Sequence, residues 1–193
     1  MSHVLTADGG TESLRVRIYD LDGRCVASHA EPYETKFMSG ARAEQNAEDW
    51  WSSLVTATQI GLKEANISGD AIDAMAYATT CCTVVALDKN GAPLRPALMW
   101  MDVRADKEAE AVLETGDQRL ILNGNGQGPV SAEWMIPKAL WLKRNEPKIF
   151  DDAVTICEYQ DYLTMRLTGE RCASLNNIGL RWHYANRDGG WAS

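Results

Sequence analysis

An acidic residue, two glycines and two hydroxyl residues lie within eight positions near the N-terminus, in residues 8–15 (DGGTESLR). Adjacent glycines let backbone N–H groups approach an anion closely, and the hydroxyls of Thr11 and Ser13 add hydrogen-bond donors. The carboxylate of Asp8 would repel a bare phosphate, so a phosphate site here implies a Mg²⁺ ion that keeps some of its water ligands. The stretch has the chemistry of a phosphate cradle, and an ordinary glycine-rich hairpin turn is the open alternative.

The residues around this stretch predict a turn between strands. Residues 4–7 form a short strand-like lead-in, and residues 14–19 alternate between apolar and polar side chains, which is the period of a strand. An Asp-Gly turn at 22–23 then leads to a partner strand at 25–27. No Gly-Lys-Ser/Thr follows the glycines and the next element is a strand, which excludes a P-loop and a dinucleotide-binding fingerprint.

Composition limits the class of partner. The 193 residues suffice for one good-sized domain, and the net charge of −8 argues against nucleic acid or an anionic membrane as the main partner. The sequence shows no signal peptide and no apolar segment of membrane-spanning length, so we expect a cytoplasmic protein. Five cysteines without C-x-x-C spacing and three separated histidines favour reduced thiols over a disulfide framework or a zinc site.

The remaining chain alternates helices and strands, which favours an α/β fold. The Trp pair at 50–51 is expected in the core of the first helix, and no clear element is expected over 31–45 or 176–193. A glycine-rich connection covers 115–130, and its resemblance to a phosphate loop is superficial. The predicted helices are 46–66 with Asn46 as N-cap, 103–114, 132–145 and 158–167, and the predicted strands are 72–78 (buried), 83–87, 97–100 and 153–157.

Several stretches, in order along the chain, resemble the FGGY family of carbohydrate kinases, which are sugar kinases built on the actin-like ATPase fold. Residues 8–15 resemble the first phosphate motif of that family, and residues 79–88 (TTCCTVVALD) are typical of its pentulose kinases, the ribulokinase and xylulokinase group. The resemblance spans essentially all of the chain. The further matching stretches are 43–51 (AEQNAEDWW), 96–105 (PALMWMDVRA), 137–142 (PKALWL), and 161–163 with 167–170 (DYL and LTGE).

The resemblance implies a ribonuclease-H-like α/β domain of the actin, Hsp70 and sugar kinase superfamily. It implies phosphorylation of a ketopentose or related polyol by ATP with Mg²⁺. Asp8 would organise the Mg²⁺ through water, and Arg15 has the alternative of pairing within the sheet, since it points opposite Leu14. The residues implied to lie at the phosphate are Asp8, Gly10, Thr11, Ser13 and Arg15.

A polyhydroxy substrate requires hydrogen-bonding groups beside an apolar wall. Four polar residues near this chemistry have structural alternatives: a helix N-cap for Asp102, an ion pair for Arg104, a favourable first-turn acid for Glu133 and a purely structural place in a helix for Asp161. The residues that the resemblance places at or near the sugar are Thr80, Cys81, Cys82, Trp100, Asp102 and Arg104.

Kinases of this family are much longer than this chain, and their catalytic-base Asp, second phosphate motif and adenosine pocket correspond to positions beyond Ser193. We therefore expect an N-terminal fragment or isolated domain that is inactive by itself; residues 188–190 (DGG) do not match the later motif. A sugar-binding or regulatory module is the alternative. A third possibility is a non-kinase ATPase of the same superfamily. The kinase-like stretches at 79–83 and 100–105 argue against it. The oligomeric state is left open, with a homodimer as one expectation.

Overall fold

The computed structural model describes residues 2–117, 119–120, 130–185 and 190–191. The predictions for the glycines at 124–128 and for Asp188-Gly189 lie outside the described residues. The chain divides into unit 1, residues 1–35 and 46–80, and unit 2, residues 36–45 and 81–193. In chain order the elements are β1 His3–Gly9, β2 Ser13–Asp20, β3 Cys25–Pro32, β4 Lys36–Met38, β5 Arg42–Gln45, α1 Ala47–Ala65, β6 Ile72–Thr79, β7 Val84–Leu87, β8 Ala97–Leu98, α2 Asp106–Glu114, α3 Met135–Asn145, α4 Pro147–Asp152, β9 Thr155–Glu158, α5 Tyr159–Thr168 and α6 Leu175–Arg181.

Unit 1 contains a four-stranded sheet in the order β3-β2-β1-β6. The first three strands are antiparallel neighbours, and β6 runs parallel to β1 after the crossover through α1. The predicted turn between β2 and β3 is confirmed: Gly23 has a φ of 81°, and a side-chain oxygen of Asp20 accepts from the N–H groups of Asp22 and Arg24. The antiparallel strands at the start of the chain agree with the hairpin expected around the Asp-Gly turn, whereas the parallel pairing of β6 is seen only in the structure.

Helix α1 covers one face of this sheet. Its buried positions include Trp50, Leu54, Ala57 and Gly61, which recur at the spacing of one helical face. The core position predicted for the Trp pair is confirmed for Trp50, whereas Trp51 is only half-buried. A Cβ at Gly61 would lie 3.4 Å from the Cδ1 atom of Ile18, which shows how closely the helix approaches the sheet. Each large apolar side chain buried in such a core stabilises the fold by about 1.5–3 kcal/mol.

Strand β6 was predicted to be buried, and this prediction is wrong. Most of its residues are exposed, including Met75 at 36%. Among the described strands it is the last in the order of its sheet, with β1 as its one neighbour there. The sequence did not show this edge position, because the strand contains three Ala, one Ile and one Met and does not alternate apolar with polar residues.

Unit 2 contains a five-stranded sheet in the order β4-β5-β8-β7-β9, with antiparallel pairing throughout. Residues 36–45 were predicted to be irregular, but they form β4 and β5, which are too short to show a period. Helices α4 and α6 were also missed, although Pro147 in the first turn of α4 was a usable signal. Helix α2 begins at Asp106 rather than Val103.

Helix α3 joins two apolar clusters of unit 2. Met135 and Leu142 pack with Val84 and Leu98 from the sheet. Ile136 and Leu140 of the same helix pack against a second cluster built on α2. Lys143 has the helical spacing of Ile136 and Leu140, but it is exposed. Within the described residues, no helix combines the length and apolarity required to cross a bilayer.

Asn46 provides a test of the local folding signal of α1. Its side-chain oxygen accepts from the N–H of Glu48, and its amide donates to Asp49 at 2.8 Å. Asn46→Ala leaves a helix N–H without this acceptor and should lower the free energy of unfolding by about 0.5–2 kcal/mol. Ser52→Ala, on the exposed side of the same helix, is the control and should change it by no more than about 0.5 kcal/mol. Equal effects of the two variants in urea denaturation would contradict the cap.

Candidate functional site

The glycine-rich stretch forms a tight turn between β1 and β2 in unit 1. The N–H of Gly10 donates to the carbonyl oxygen of Ser13 at 3.0 Å. A Cβ at Gly10 would lie 3.3 Å from that same oxygen, so a side chain here would crowd the turn. The predicted strand-turn-strand around the candidate phosphate site is confirmed as a backbone structure.

Residues 33–35 brace this turn, which the sequence did not reveal. The hydroxyl of Tyr33 donates to the carbonyl oxygens of Gly10 and Ser13, and the N–H of Tyr33 donates to Glu12 O at 3.1 Å. The hydroxyl of Thr35 donates to Thr11 O at 3.2 Å. Carbonyl groups of the turn are thus held by the segment that follows β3. An anion near the turn would meet fewer free carbonyl oxygens as a result.

Asp8 and Arg15 face each other across β1 and β2 as a register pair. Their side chains are 65% and 42% exposed, and Nη1 of Arg15 lies 3.6 Å from Oδ2 of Asp8. The sheet pairing that was left open for Arg15 therefore exists, and its partner is Asp8 itself. Among the described residues, no group of three or more His, Cys, Asp or Glu side chains could hold a metal ion. One exposed carboxylate is a donor set that suits Mg²⁺ with most of its waters retained.

Thr80 lies beside the same turn. Its N–H donates to the carbonyl oxygen of Gly9 at 3.0 Å, where β6 ends alongside β1. The structure thus brings Thr80, which was predicted to contact sugar, next to the phosphate stretch in unit 1. The other residues predicted at the sugar belong to unit 2.

Cys82 has a strained backbone. Its φ is 66°, in the left-handed region that costs a residue other than glycine about 1–3 kcal/mol. Its N–H donates to Oε2 of Glu158 and its carbonyl oxygen accepts from Nζ of Lys138, each at 2.9 Å. The Sγ atoms of Cys82 and exposed Cys81 are 3.9 Å apart. Burial raises the pKa of the Cys82 thiol to about 12, so this sulfur is not a nucleophile near neutral pH.

Lys138 of α3 is fully buried, and its role was missed in the sequence. Its ammonium donates to the carbonyl oxygens of Cys82, Met99 and Trp100 at 2.9, 2.5 and 3.2 Å. Burial lowers its pKa to about 8. Its spacing from Met135 and Leu142 could have indicated that it lies on the buried side of the helix.

Asp102 and Arg104 form a buried ion pair. The Asp102 carboxylate accepts from the N–H of Ala43 at 2.7 Å, from the N–H of Arg104 at 3.0 Å and from Nε and Nη2 of the same guanidinium at 2.7–3.0 Å. The Arg104 guanidinium also pairs with Glu44 at 2.8 Å and lies 5.0 Å from the ring centre of Trp141. The ion-pair alternative for Arg104 is confirmed.

The N-cap alternative for Asp102 is wrong, because α2 begins at Asp106 with Ala105 as its N-cap. The Asp102 side chain has no exposed surface, so direct contact between its carboxylate and a sugar stays a prediction. Trp100, two residues earlier, is 38% exposed. Asp102 and Arg104 thus have a supporting role in the segment that carries the accessible Trp100.

The network of ion pairs continues through Glu44. The same oxygen of Glu44 that pairs with Arg104 also pairs with Nη2 of Arg95. Nε of Arg95 pairs with Glu146, at the end of α3, at 2.8 Å. The arginine and glutamate side chains therefore connect β5, the segment before β8 and the end of α3.

Three acids near the predicted sugar residues differ in environment. Glu133 precedes α3, whose N-cap is Trp134, so its predicted place in the first helical turn is wrong. Asp161 accepts from the N–H of Glu158 at 3.1 Å in a capping box at the start of α5, which is a structural role. Burial raises the pKa of Glu158 to about 7, with the neighbouring Asp161 adding to the shift, and its Oε1 atom has no hydrogen-bond partner among the described residues.

Asp102→Asn tests the buried pair. The substitution keeps the shape but removes a charge facing Arg104, and breaking a buried pair should cost about 3–5 kcal/mol of stability. Burial raises the pKa of Asp102, but hydrogen bonds from Arg104 and Ala43 outweigh it, so the pKa is below its usual 3.8. The stabilisation is therefore present above pH 3.8 and lost as the pH falls below it. Urea denaturation at pH 7 and in acid measures both effects.

Asp106→Asn is the matched control, because Asp106 is exposed in the first turn of α2. It should change the free energy of unfolding by no more than about 1 kcal/mol at pH 7. The assignment of Asp102 would be contradicted by an equally small effect of Asp102→Asn.

Comparison with known proteins identifies the family. Residues 3–192 match the profile of the FGGY family of carbohydrate kinases, N-terminal domain. The xylulose kinase of Lactococcus lactis is 29% identical over 171 residues, which are 88% of this chain and 33% of the relative. The xylulose kinase of Streptomyces coelicolor is 31% identical over 183 residues, which are 93% of this chain and 36% of the relative.

Solved structures confirm the fold. The crystal structure of xylulose kinase from Rhodospirillum rubrum matches with a TM-score of 0.82 and 26% identity, over 92% of this chain and 36% of that chain. The chain spans about a third of the length of the curated relatives it matches. The α/β, ribonuclease-H-like fold predicted from the sequence is therefore present. The chain belongs to the FGGY family of carbohydrate kinases.

Proposed function

We propose that the protein containing this chain transfers the γ-phosphoryl group of ATP to a hydroxyl group of a ketopentose or related polyol. The observation that carries this proposal is the family match over residues 3–192, with relatives named xylulose kinase among the similar proteins. The braced turn in unit 1 supports a phosphate role. The exposed Trp100 in unit 2 supports a sugar role. A cytoplasmic location, where ATP is available, is part of the same proposal.

Asp8 is the residue that would hold Mg²⁺, through water, and the ion would supply charge neutralisation at the transferring phosphate. The exposed carboxylate of Asp8 fits this role, because water ligands have room around it. Gly10 permits close backbone approach, and the hydroxyls of Thr11 and Ser13 supply donors for phosphate oxygens. Arg15 adds positive charge beside Asp8, and its ion pair with Asp8 would orient that carboxylate.

In the proposed reaction the sugar oxygen forms a bond to the γ-phosphorus. The bond from that phosphorus to the oxygen bridging to the β-phosphate breaks, and ADP leaves. The proton of the sugar hydroxyl goes to a carboxylate base, which we assign to a part of the protein outside these 193 residues. Catalysis then depends chiefly on positioning and charge stabilisation.

Sugar recognition is assigned to Thr80, Cys81, Cys82 and Trp100. Cys81 is exposed, and Trp100 presents part of an indole ring, so these residues offer a polar and an apolar contact. Asp102 and Arg104 fix the backbone on which Trp100 lies. Which ketopentose or polyol is used depends on contacts from the rest of the protein.

A sugar-binding or regulatory module is the second candidate function. The observation in its favour is that the exposed Cys81 and Trp100 of unit 2 could contact a sugar without the phosphate stretch of unit 1. In that case a ketopentose would bind without being phosphorylated. Sugar binding in the absence of any sugar-dependent ADP release from the full-length protein would favour this second function.

The first prediction of the proposal concerns the isolated chain. We expect the 193-residue chain alone to release no ADP that depends on a ketopentose, because the proton acceptor is assigned elsewhere. The full-length protein should release ADP with at least one pentulose or pentitol in a coupled assay. Sugar-dependent ADP release that persists after repurification of the isolated chain would place a base within these residues.

The second prediction concerns Asp8 in the full-length enzyme. Asp8→Ala should lower kcat by roughly a hundredfold or more, with little change in sugar affinity, because the charge it organises matters most in the transition state. Asp73→Ala removes an exposed carboxylate from β6 of the same unit and should leave kcat unchanged. A normal kcat for Asp8→Ala at saturating Mg²⁺ would overturn the assignment.

A further inference from the structure

The Cys82 peptide is held on both sides by buried ionisable side chains. Its N–H reaches Glu158, at the end of β9, and its carbonyl oxygen reaches Lys138, in α3, each at 2.9 Å. Glu158 is 1% exposed and Lys138 is fully buried. A cysteine keeps a φ of 66° only where its surroundings stabilise that conformation. Here the hydrogen bonds with Glu158 and Lys138 stabilise it.

Lys138 connects Cys82 to a second segment. Its ammonium also donates to the carbonyl oxygens of Met99 and Trp100. A lysine has three N–H donors, and here each has a carbonyl acceptor. The buried charge is thus fully hydrogen-bonded, which is the condition under which a protein interior accepts it.

The two segments that Lys138 joins are the ones to which the proposed function assigns the sugar. Cys82 belongs to the stretch 79–88, and Met99 and Trp100 belong to 96–105. A methionine at position 138 would fill similar apolar space without the cost of burying a charge. What the lysine adds is a fixed geometry between two backbone segments.

We propose that Lys138 and Glu158 are positioning residues for sugar binding, which together hold Cys81-Cys82 and Trp100 in the arrangement that receives the ketopentose. This inference rests on the proposed function for its ligand. Neither side chain is accessible, so both act through the backbone of Cys82 and, for Lys138, of Trp100. A misplaced substrate contact can cost as much as a missing one.

The first test is kinetic and uses the full-length enzyme. Lys138→Met should raise KM for the ketopentose roughly tenfold or more, with KM for ATP changed by less than about twofold. Lys148→Met, at an exposed lysine of α4, is the control and should change neither KM. Glu158→Gln keeps an oxygen that accepts from the Cys82 N–H, and it should affect the sugar KM less than Glu158→Met does.

The second test does not depend on activity. In the folded full-length protein, a thiol reagent should label Cys81 quickly and the buried Cys82 and Cys157 slowly. Lys138→Met should speed labelling of Cys82 roughly tenfold or more through local opening, with Cys157 still protected. Trypsin leaves Cys81 and Cys82 on one peptide, residues 64–89, and Cys157 on another, so tandem mass spectrometry with fragmentation between Cys81 and Cys82 is needed to distinguish the three sites.

The outcomes are distinct. If the wild-type enzyme phosphorylates no ketopentose or related polyol, the proposed function fails, and the positioning role for sugar fails with it, whereas selective labelling of Cys82 would still establish the backbone clamp. If the wild-type enzyme is active, a sugar KM that is unchanged in Lys138→Met overturns the inference. The inference is also overturned if Lys138→Met raises the KM values for the ketopentose and for ATP in parallel and Cys157 is labelled too, because that pattern indicates a general loss of structure. A selective rise in the sugar KM together with selective labelling of Cys82 supports it.

Discussion

The requirement that buried charges be paired organises unit 2. Asp102 and the Arg104 side chain are almost entirely removed from solvent, and each would be costly to bury alone. Their mutual pairing, together with the N–H of Ala43 and the carboxylate of Glu44, makes the burial possible. Because Ala43 and Glu44 lie in β5, the pair also fixes that short strand against the segment that follows β8.

Lys138 extends the same principle to uncharged acceptors. Three carbonyl oxygens replace the water that the ammonium has lost, and burial lowers its pKa to about 8 without removing its ability to donate. As a consequence, this single side chain fixes the backbone at both Cys82 and Trp100. In unit 1 a neutral equivalent exists at the glycine-rich turn, where hydroxyls of Tyr33 and Thr35 hold the carbonyl groups. In both candidate sites, side chains therefore hold the backbone by hydrogen bonds to its carbonyl oxygens.

What the sequence predicted well was local. Three features were predicted from local sequence patterns: the turn after β1, the Asn46 cap and the buried face of α1. Each depends on residues within a few positions of one another. Family resemblance supplied the fold and the order of the motifs, and the profile match over residues 3–192 confirmed it. The exposure of β6 could not be predicted from such patterns, because it follows from the place of β6 at the end of the strand order.

The supporting contacts were missed because they join distant positions. Asp102 and Ala43 are separated by 59 positions, and Cys82 and Glu158 by 76. Sequence periodicity does not predict contacts between such distant residues. A lysine, even among apolar residues as at position 138, is ordinarily predicted to be exposed. The sequence thus pointed to the stretches that carry the candidate site, whereas the structure was needed to show which side chains hold those stretches in place.

In the binding mode proposed above, the ketopentose contacts the Cys81-Cys82 and Trp100 segments. Thiol labelling of the full-length enzyme with and without sugar tests it most directly, because Cys81 is exposed at the proposed site and Cys172 is exposed elsewhere in the sequence. We expect a saturating ketopentose substrate to slow labelling of Cys81 and to leave the rate at Cys172 unchanged. Labelling of Cys81 at the same rate with and without a sugar that the enzyme phosphorylates would contradict it.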